Sequence, residues 1–489
     1  MAGLIWRLRI GWRPLTLDSS SDLWWAVVVG GAGAVVVGVA LQFSIQAALA
    51  IVLVMGVVAL YEHDRALGVA AMFTFWLIAP FLRRVVALLT GTVANDPLSL
   101  APYVAVGAIA ALEFARVHVP QSIRRLVMLA AGGFAIGLPL GFTSGPGSAA
   151  FAFGAYVAGV GAAVLAFREG PLARDSTLRR VLLYAMPVIA AYAICQRYLP
   201  RTPWDDYWLQ TVDFLSIGGA TADDTLRVFG TVNSPGTLGG LLGLTLLCYL
   251  TVTNHRAWAI ASAAIVVAAL SLTSVRSSWY ALVAAGLAHI VASRGESARV
   301  ILGSVAVVVA AAIALSPVNH AAKDTVHRFE TIAHLSSDTS ATDRKTTFRT
   351  LFPKAVRAPL GHGLGTAGES TKLNGQSDLR APDNGYLSLM YQVGPVGFTL
   401  VMVALGIMFV AAWNGARERA PGQDMRLLLF AMLVYILMLT TSGDAFYGVT
   451  GAILWFIGGQ VLAHSWRSRS AREPASAAEP AAAEAPAPA

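Results

Sequence analysis

The polar segment Ser316–Asp383 begins with SPVNHAAKDTVHRFE (316–330) and ends with LNGQSDLRAPD (373–383). It interrupts a chain that is otherwise built of apolar runs. It contains every lysine of the protein: Lys323, Lys345, Lys354 and Lys372. Charged side chains are costly inside a bilayer. We therefore predict that the segment forms a water-facing loop, carrying short helices, on one side of a membrane protein.

The apolar runs have the length and composition of transmembrane helices. Hydrophobic residues make up 56% of the chain and charged residues 13%, whereas a soluble domain averages about 45–50% and about 25%. At about 20 residues per span, the sequence predicts an all-α polytopic membrane protein with about 14 transmembrane helices, within a range of about 12–14. The predicted spans lie near 24–41, 43–61, 66–82, 98–115, 126–143, 149–167, 181–199, 234–253, 257–273, 278–293, 299–315, 385–413, 426–442 and 446–464.

Arginines between the spans predict the orientation. With a cytoplasmic N-terminus, most arginines outside the polar segment fall on the cytoplasmic side, as the positive-inside rule requires, and long loops are exempt from that rule. Both termini are then cytoplasmic. The predicted regions are a cytoplasmic N-terminus (1–23), helices 1–11 (24–315), an exoplasmic or periplasmic loop (316–383), helices 12–14 (384–465) and a disordered cytoplasmic tail (466–489).

Charge and cysteine content exclude other classes. A net charge of +8 would suggest nucleic-acid binding in a soluble protein, but here the orientation of the helices explains it, and we predict no nucleic-acid partner. Cys195 and Cys248 form neither a disulfide framework nor a metal motif. The sequence also lacks an Asp-x-Asp pair or a His/Asp cluster suited to a divalent cation, and we predict no cofactor.

Several arginines fall on the exoplasmic side, where the positive-inside rule disfavours them, and two of these are candidates for a binding site. Arg276 lies in Leu272-Thr-Ser-Val-Arg-Ser-Ser-Trp279, between two spans with almost no loop around it. Arg227 opens the segment 227–240, which is broken by glycines and a proline, and such backbone is tolerated at membrane depth only beside protein or a water-filled cavity. We interpret both as anion-binding residues of an exoplasmic cavity. The alternative for Arg276 is a side chain that snorkels to lipid headgroups.

A second pair, Arg83 and Arg84, follows Pro80-Phe-Leu. Guanidinium forks match phosphate oxygens, so the pair is a candidate phosphate site. The alternative is that it anchors an amphipathic interfacial helix over residues 83–97.

The polar segment supplies the candidate bases. Its residues 343–349 predict an amphipathic helix that begins near Arg344 and runs to about 357. His362 stands in the glycine turn 359–365, as either a substitute base or a solvated loop histidine. Asp383 either caps the following helix together with Asn384 or acts as a carboxylate base facing the cavity.

Five motifs occur in a fixed order along the chain. They are Arg-x-x-Gly-Thr-x-Asn-x-Pro (227–235), Thr-Ser-x-Arg-Ser-x-Trp (273–279), Pro-Leu-Gly-x-Gly-Leu-Gly (359–365), Asn-x-Tyr-Leu (384–387) and Gly-x-x-Gly (394–397). This order resembles the O-antigen ligase / O-antigen polymerase superfamily over about a third of the chain, residues 227–398.

The resemblance implies a GT-C-like glycosyltransferase that works without a metal or a nucleotide sugar. Its donor would be a polyprenyl-diphosphate-linked glycan, its acceptor a glycan or a lipid, and its site would face the periplasm from the bacterial inner membrane. Membrane lipids are further partners, and other polysaccharide-assembly proteins remain open as partners. Arg227, Arg276 and Arg344 match the family's diphosphate-binding arginines. The motifs make Asn233, Asn384 and Tyr386 further candidates for substrate binding.

Three functions are compatible with the sequence, and one departure from the family bears on the choice between the first two. Its ligases usually carry His before the Asn of the Asn-x-Tyr-Leu motif, where this chain has Asp383. This difference favours a polymerase of lipid-linked repeat units, for O-antigen or exopolysaccharide, over a ligase that moves the glycan to lipid A-core or protein. A lipid or glycan transporter is the third hypothesis, but the chain shows no internal repeat of the kind common in transporters.

Overall fold

The computed structural model describes residues 45–91, 97–116, 119–169, 176–211, 226–252, 257–295, 339–368, 370–371 and 384–470, and no strand occurs among them. Two short 3-10 helices cover Pro97–Ser99 and Thr440–Ser442. The α-helices are α1 (Ile45–His63), α2 (Arg65–Thr90), α3 (Ala101–Arg116), α4 (Gln121–Ile136), α5 (Leu138–Ser144), α6 (Pro146–Glu169), α7 (Thr177–Tyr198), α8 (Pro203–Thr211), α9 (Pro235–Tyr249), α10 (Ala257–Thr273), α11 (Arg276–Ala292), α12 (Thr339–Arg357), α13 (Gly385–Arg417), α14 (Gln423–Leu439) and α15 (Gly448–Ser470).

The predicted all-α membrane fold is confirmed. Among the described residues, seven segments are long and apolar enough to cross a membrane: α1, α2, α4 with α5, α6, α7, α13 and α14. Helices α9 and α10 are apolar but shorter. The predicted spans 24–41 and 299–315 lie outside the described residues, so the total number of spans stays a prediction.

Successive helices alternate in direction, and their ends gather at two faces of the bundle. At one face, helix ends are joined by ion pairs, including Arg116 with Glu62 at 2.6 Å and Arg168 with Glu113 at 2.9 Å. The other end, which we call the loop face, carries residues 199–211, 226–234, 358–368 and 443–447. All the candidate site residues that the structure describes belong to the loop face.

The centre of the bundle is built on close backbone contact between α6 and α15. A Cβ atom added to Gly459 of α15 would lie 2.1 Å from the carbonyl oxygen of Ala163. A Cβ atom on Gly161 of α6 would lie 2.8 Å from Ala110 of α3. Small residues allow transmembrane helices to approach closely, and the resulting van der Waals contact holds the helices together.

Helix α2 differs from its prediction at its second half. Asp64 caps its start by accepting a hydrogen bond from the Leu67 N–H at 3.1 Å, and Gly91 ends it in the left-handed conformation. The helix continues through Pro80 to Thr90. Arg83 and Arg84 therefore lie on α2 itself, and the interfacial helix expected over 83–97 is not formed as a separate element within residues 83–91.

The contact at Gly459 gives a test of the central packing. We expect Gly459→Ala to lower the free energy of unfolding by about 1–3 kcal/mol, because the new methyl group forces α6 and α15 apart. Gly406→Ala in α13 is the control, since a Cβ atom there has nothing within 4 Å. Thermal unfolding of the two purified variants in detergent compares them. Equal midpoints would contradict close packing at Gly459.

Candidate functional site

A buried ionic network positions the loop 226–233. Arg84 is fully buried; its Nη1 donates to Oδ1 of Asp205 on α8, and its Nη2 donates to the carbonyl oxygen of Gly230 at 2.6 Å. Asp205 also accepts hydrogen bonds from the Tyr192 hydroxyl at 2.7 Å and the Gln196 amide at 2.9 Å. The Gly230 N–H donates to Oε1 of Gln196 at 2.8 Å. The network compensates the burial of two charges and fixes the loop to α2, α7 and α8.

Two further hydrogen bonds hold the loop 226–233 against α2 near Pro80. The Asn233 side chain donates to the carbonyl oxygen of Pro80 at 2.9 Å, and the Thr231 hydroxyl donates to that of Leu77 at 2.7 Å. Asn233 adopts φ 60°, a left-handed conformation that asparagine tolerates better than most residues. Its Oδ1 is buried and accepts no hydrogen bond within the described part of the chain.

Arg227 and Arg276 both belong to the turn between α10 and α11, residues 273–276 with Arg227 bonded to them, which we call the arginine turn. Arg227 Nε donates to the carbonyl oxygen of Thr273 at 3.0 Å, and Arg227 Nη2 lies 3.4 Å from the carbonyl oxygen of Ser274. Ser274 has φ 54°, which is costly for a residue with a side chain. Arg276 follows two residues later as the first residue of α11. Both arginines are half-buried, so each keeps partial access to solvent.

Two helix N-termini adjoin these arginines. The Ser234 hydroxyl caps α9 by accepting the Thr237 N–H at 3.3 Å, whereas α11 has no side-chain cap. The first turns touch, since a Cβ atom on Gly239 would lie 2.9 Å from Oγ of Ser278. Helix N-termini carry a positive partial charge and attract anions. The arrangement therefore favours a negatively charged ligand.

The glycine turn of the polar segment fills a crevice between two broken helices. The Leu364 N–H donates to the carbonyl oxygen of Gly137, between α4 and α5, at 2.7 Å. The Gly365 N–H donates to the Gln392 side chain at 2.8 Å. His362 stacks on the ring of Tyr391 with 4.2 Å between centroids. This predicted base is thus held by an aromatic contact and is half-buried.

The start of α13 uses two other candidates for structure. The Asn384 side chain caps the helix by accepting the Leu387 N–H at 3.1 Å. The Tyr386 hydroxyl donates to the carbonyl oxygen of Leu437 on α14 at 2.8 Å. Both side chains therefore have a structural role beside the site.

The loop between α14 and α15 places the carboxylate of Asp444 next to the start of α13. A Cβ atom on Gly385 would lie 2.9 Å from Cα of Asp444. Asp444 is half-buried and accepts hydrogen bonds from the Tyr156 hydroxyl at 2.6 Å and the Phe446 N–H at 3.1 Å. Burial raises the pKa of Asp444 to about 6, and the two hydrogen bonds oppose the rise. Leu439, at the end of α14 before this loop, packs on Gly240 in the first half of α9.

The remaining predicted residues are less informative. Asp383 and the side chain of Arg344 lie outside the described residues, although Arg344 falls within α12. Arg83 places its guanidinium 4.9 Å from the ring centre of Trp208. Among the described residues, no three His, Cys, Asp or Glu side chains are grouped to hold a metal ion.

Sequence reasoning missed two acidic residues. Asp205 follows Trp204 in a short polar segment, and its pairing with Arg84 gave no signal because the two are far apart in the chain. Asp444 left a usable signal, since it is a lone carboxylate between the last two apolar runs. Ionisable residues in such places are usually functional.

Comparison with known proteins supports the resemblance found in the motifs. Residues 261–402 match the family model described as O-Antigen ligase. This stretch includes Arg276, His362 and Asn384 but neither Arg227 nor Asp444. No curated protein sequence matches the chain. The predicted resemblance is confirmed over the matched residues, and it supports a multi-pass membrane protein of the ligase/polymerase type.

Neighbouring aspartates give a matched test of the buried network. We expect Asp205→Ala to lower the free energy of unfolding by about 3–5 kcal/mol, because it leaves the Arg84 guanidinium buried without its carboxylate. Asp206→Ala is the control. It removes an exposed pair with Arg201 at 3.8 Å, a contact worth about 0–1 kcal/mol. Thermal unfolding in detergent measures both, and equal shifts would contradict the positioning role of Asp205.

Proposed function

We propose that this protein, with its O-antigen ligase match at residues 261–402, is a membrane glycosyltransferase that uses a polyprenyl-diphosphate-linked glycan as donor. The observation that carries the proposal is that Arg227 donates to the carbonyl oxygens of Thr273 and Ser274, just before Arg276 begins α11. Guanidinium groups match phosphate oxygens. The loop face is then the periplasmic side of the bacterial inner membrane.

The arginine turn would act on the leaving group. In the reaction, the acceptor hydroxyl oxygen bonds to the anomeric carbon of the donor sugar, and the bond from that carbon to the diphosphate breaks. Polyprenyl diphosphate departs with the bonding electrons and gains negative charge. Fixed positive groups that face this charge stabilise the transition state, because they need no reorganisation during the reaction. Asn233 stays a proposed substrate-binding residue on the strength of the motif alone.

The hydroxyl proton needs a base, and Asp444 joins His362 and Asp383 as a candidate. A general base works best when its pKa lies near the operating pH. Asp444 has a pKa raised to about 6 and stands next to the start of α13. Arg344 and Arg83 remain proposed diphosphate contacts, whereas the fully buried Arg84 supports the loop rather than the ligand.

Polymerase is the activity we favour, with ligase as the alternative. Asp383 occupies the place where the family's ligases usually carry His. The acceptor would then be the end of another lipid-linked repeat unit or growing chain. For a ligase, it would be lipid A-core or a protein.

Arginine substitutions test the donor site. We expect Arg227→Ala and Arg276→Ala each to abolish glycan assembly in cells that lack the native protein, while the protein still reaches the membrane. Lysine at either position should restore little activity, because the bidentate fork is lost. The readout is the amount and length of lipid-linked glycan that accumulates.

The same readout separates the two activities. Single repeat units left on the lipid indicate a polymerase, and long unattached chains indicate a ligase. Arg201→Ala is the control, since Arg201 pairs with Asp206 at the loop face, away from the arginine turn. Full assembly by both alanine variants at 227 and 276 would remove the proposed donor site.

The pH dependence of transfer tests Asp444. A base must be ionised, so we expect turnover to fall as pH drops through about 6, the raised pKa of this carboxyl. Tyr156→Phe removes a hydrogen bond that stabilises the carboxylate, which raises the pKa further and moves this acid limb to higher pH. Initial rates of the purified enzyme between pH 5 and pH 8 provide the measurement.

Two further variants assign the proton acceptor. Asp444→Asn should remove nearly all turnover, whereas His362→Gln and Asp383→Asn should retain it if Asp444 is the base. A wild-type rate and an unchanged acid limb in Asp444→Asn would leave Asp444 structural and return the role to His362 or Asp383.

A further inference from the structure

Helix α12 has an apolar side that the described part of the chain leaves exposed. Leu351 and Ala355 are buried against Leu387 of α13. On the adjoining side, Phe348, Phe352 and Val356 are 46%, 41% and 45% exposed. We call these three residues the α12 stripe. Scattered exposed apolar residues are ordinary, but a contiguous row on an otherwise charged helix calls for a partner.

The stripe has the geometry of one continuous surface. Its residues are spaced four apart, which places them along one side of a helix. The Phe348 and Phe352 rings stack, with 5.0 Å between centroids and 14° between planes. Leu360, just beyond the helix, is 51% exposed. The apolar side therefore runs the length of α12 toward α13.

The level of α12 relative to the bilayer follows from α13. That helix breaks at Gly394, which has φ 66°, and the part from Pro395 to Arg417 is about 34 Å long at about 1.5 Å per residue. This length matches a hydrocarbon core of about 30 Å. Since the Val396 N–H donates to the carbonyl oxygen of Pro359 at 3.4 Å, the end of α12 lies at the boundary of the hydrocarbon.

The exposed side of α13 continues the same surface. Val396, Val403, Ile407 and Val410 are all exposed, and they lie on the part of α13 that spans the bilayer, where lipid chains are the expected neighbour. The α12 stripe meets this lipid-facing row where Leu360 follows Pro359. One partner, the lipid, thus accounts for both surfaces.

Charge on α12 points to the class of lipid. Lys345 and Arg349 border the stripe, and Lys354 and Arg357 lie on the other side of the helix. No acidic residue occurs between 345 and 357. Long basic side chains reach from an apolar surface to headgroups, and each contributes about 1 kcal/mol near an anionic membrane.

We propose that α12 is an interfacial helix that inserts the α12 stripe among the acyl chains of the loop-face leaflet, with its basic residues on anionic phospholipid headgroups. Amphipathic helices with aromatic residues on one face and basic residues on the other bind membranes in this way. The interaction holds the glycine turn and His362 at the membrane surface. The proposal depends on the membrane-spanning fold and is independent of the proposed transferase activity.

Spin labels on opposite sides of α12 test the insertion. The protein carries Cys195→Ser, because Cys195 is exposed and Cys248 is buried, and then Phe352→Cys or, as the matched control, Thr350→Cys. Both variants are placed in nanodiscs of phosphatidylglycerol. We expect the label at 352 to be more accessible to oxygen, which concentrates in lipid, than to a neutral nickel chelate. The label at 350 should show the reverse preference.

Each other outcome overturns the proposal. If the label at 352 is more accessible to the nickel chelate than to oxygen, or if the labels at 352 and 350 show the same preference, the stripe faces water. Spin–spin broadening between labels at 352 means that a second copy of the chain covers it. In phosphatidylcholine nanodiscs the oxygen preference at 352 should weaken, and an unchanged value would refute the role of anionic headgroups. Both labelled variants must remain monodisperse, which separates insertion from misfolding.

Discussion

The pairing of Arg84 with Asp205 is the constraint on which the loop face depends. A guanidinium removed from water is strongly destabilising unless a carboxylate and further acceptors replace its hydration. Here Asp205 supplies the charge, and Gly230 supplies a carbonyl oxygen. Because the carbonyl and the N–H of Gly230 both belong to the network, the loop 226–233 cannot shift without exposing a buried charge. The loop in turn carries Arg227 to the turn before Arg276. A structural ion pair on α2 thus helps to place Arg227 at the turn between α10 and α11.

Irregular backbone at the loop face follows a second constraint. In the membrane each N–H and carbonyl group must find a partner within the protein, and this fold breaks helices at Gly137 and Gly394. The glycine turn resolves both breaks, since its N–H groups donate to the carbonyl oxygens of Gly137 and Gln392. Gly361, Gly363 and Gly365 all have positive φ, and a Cβ atom added to any of them would lie within 3 Å of backbone atoms, so larger residues would not fit. The turn is thus a structural part of the bundle.

Sequence patterns identified the helices, because apolar length is a local signal. An arginine without a loop around it predicts an exoplasmic cavity, and that cavity stays a prediction. Contacts between residues far apart in the chain could not be predicted from the sequence. The sequence predicts one phosphate site for Arg83 and Arg84 together, yet consecutive residues of a helix point in different directions. One meets Asp205 and the other lies over Trp208. The burial of Asp444 depends on Tyr156, which is far away in the chain, whereas the cap that Asn384 provides for α13 is local and is confirmed.

Burial separates Arg84, which is closed to any ligand, from Arg227 and Arg276, the proposed donor-binding residues. Arg84 is fully enclosed by Phe81, Tyr192 and Phe229 as well as by its ionic partner, so no diphosphate can approach it. Arg227 and Arg276 are only half-buried, and carbonyl oxygens orient Arg227. Helix dipoles add to their positive potential without needing a side chain. The buried cation is neutralised by its carboxylate, while the two partly exposed arginines keep access to solvent. The proposed anion site would therefore lie at the loop face, where the proposed lipid-borne donor would arrive from the leaflet.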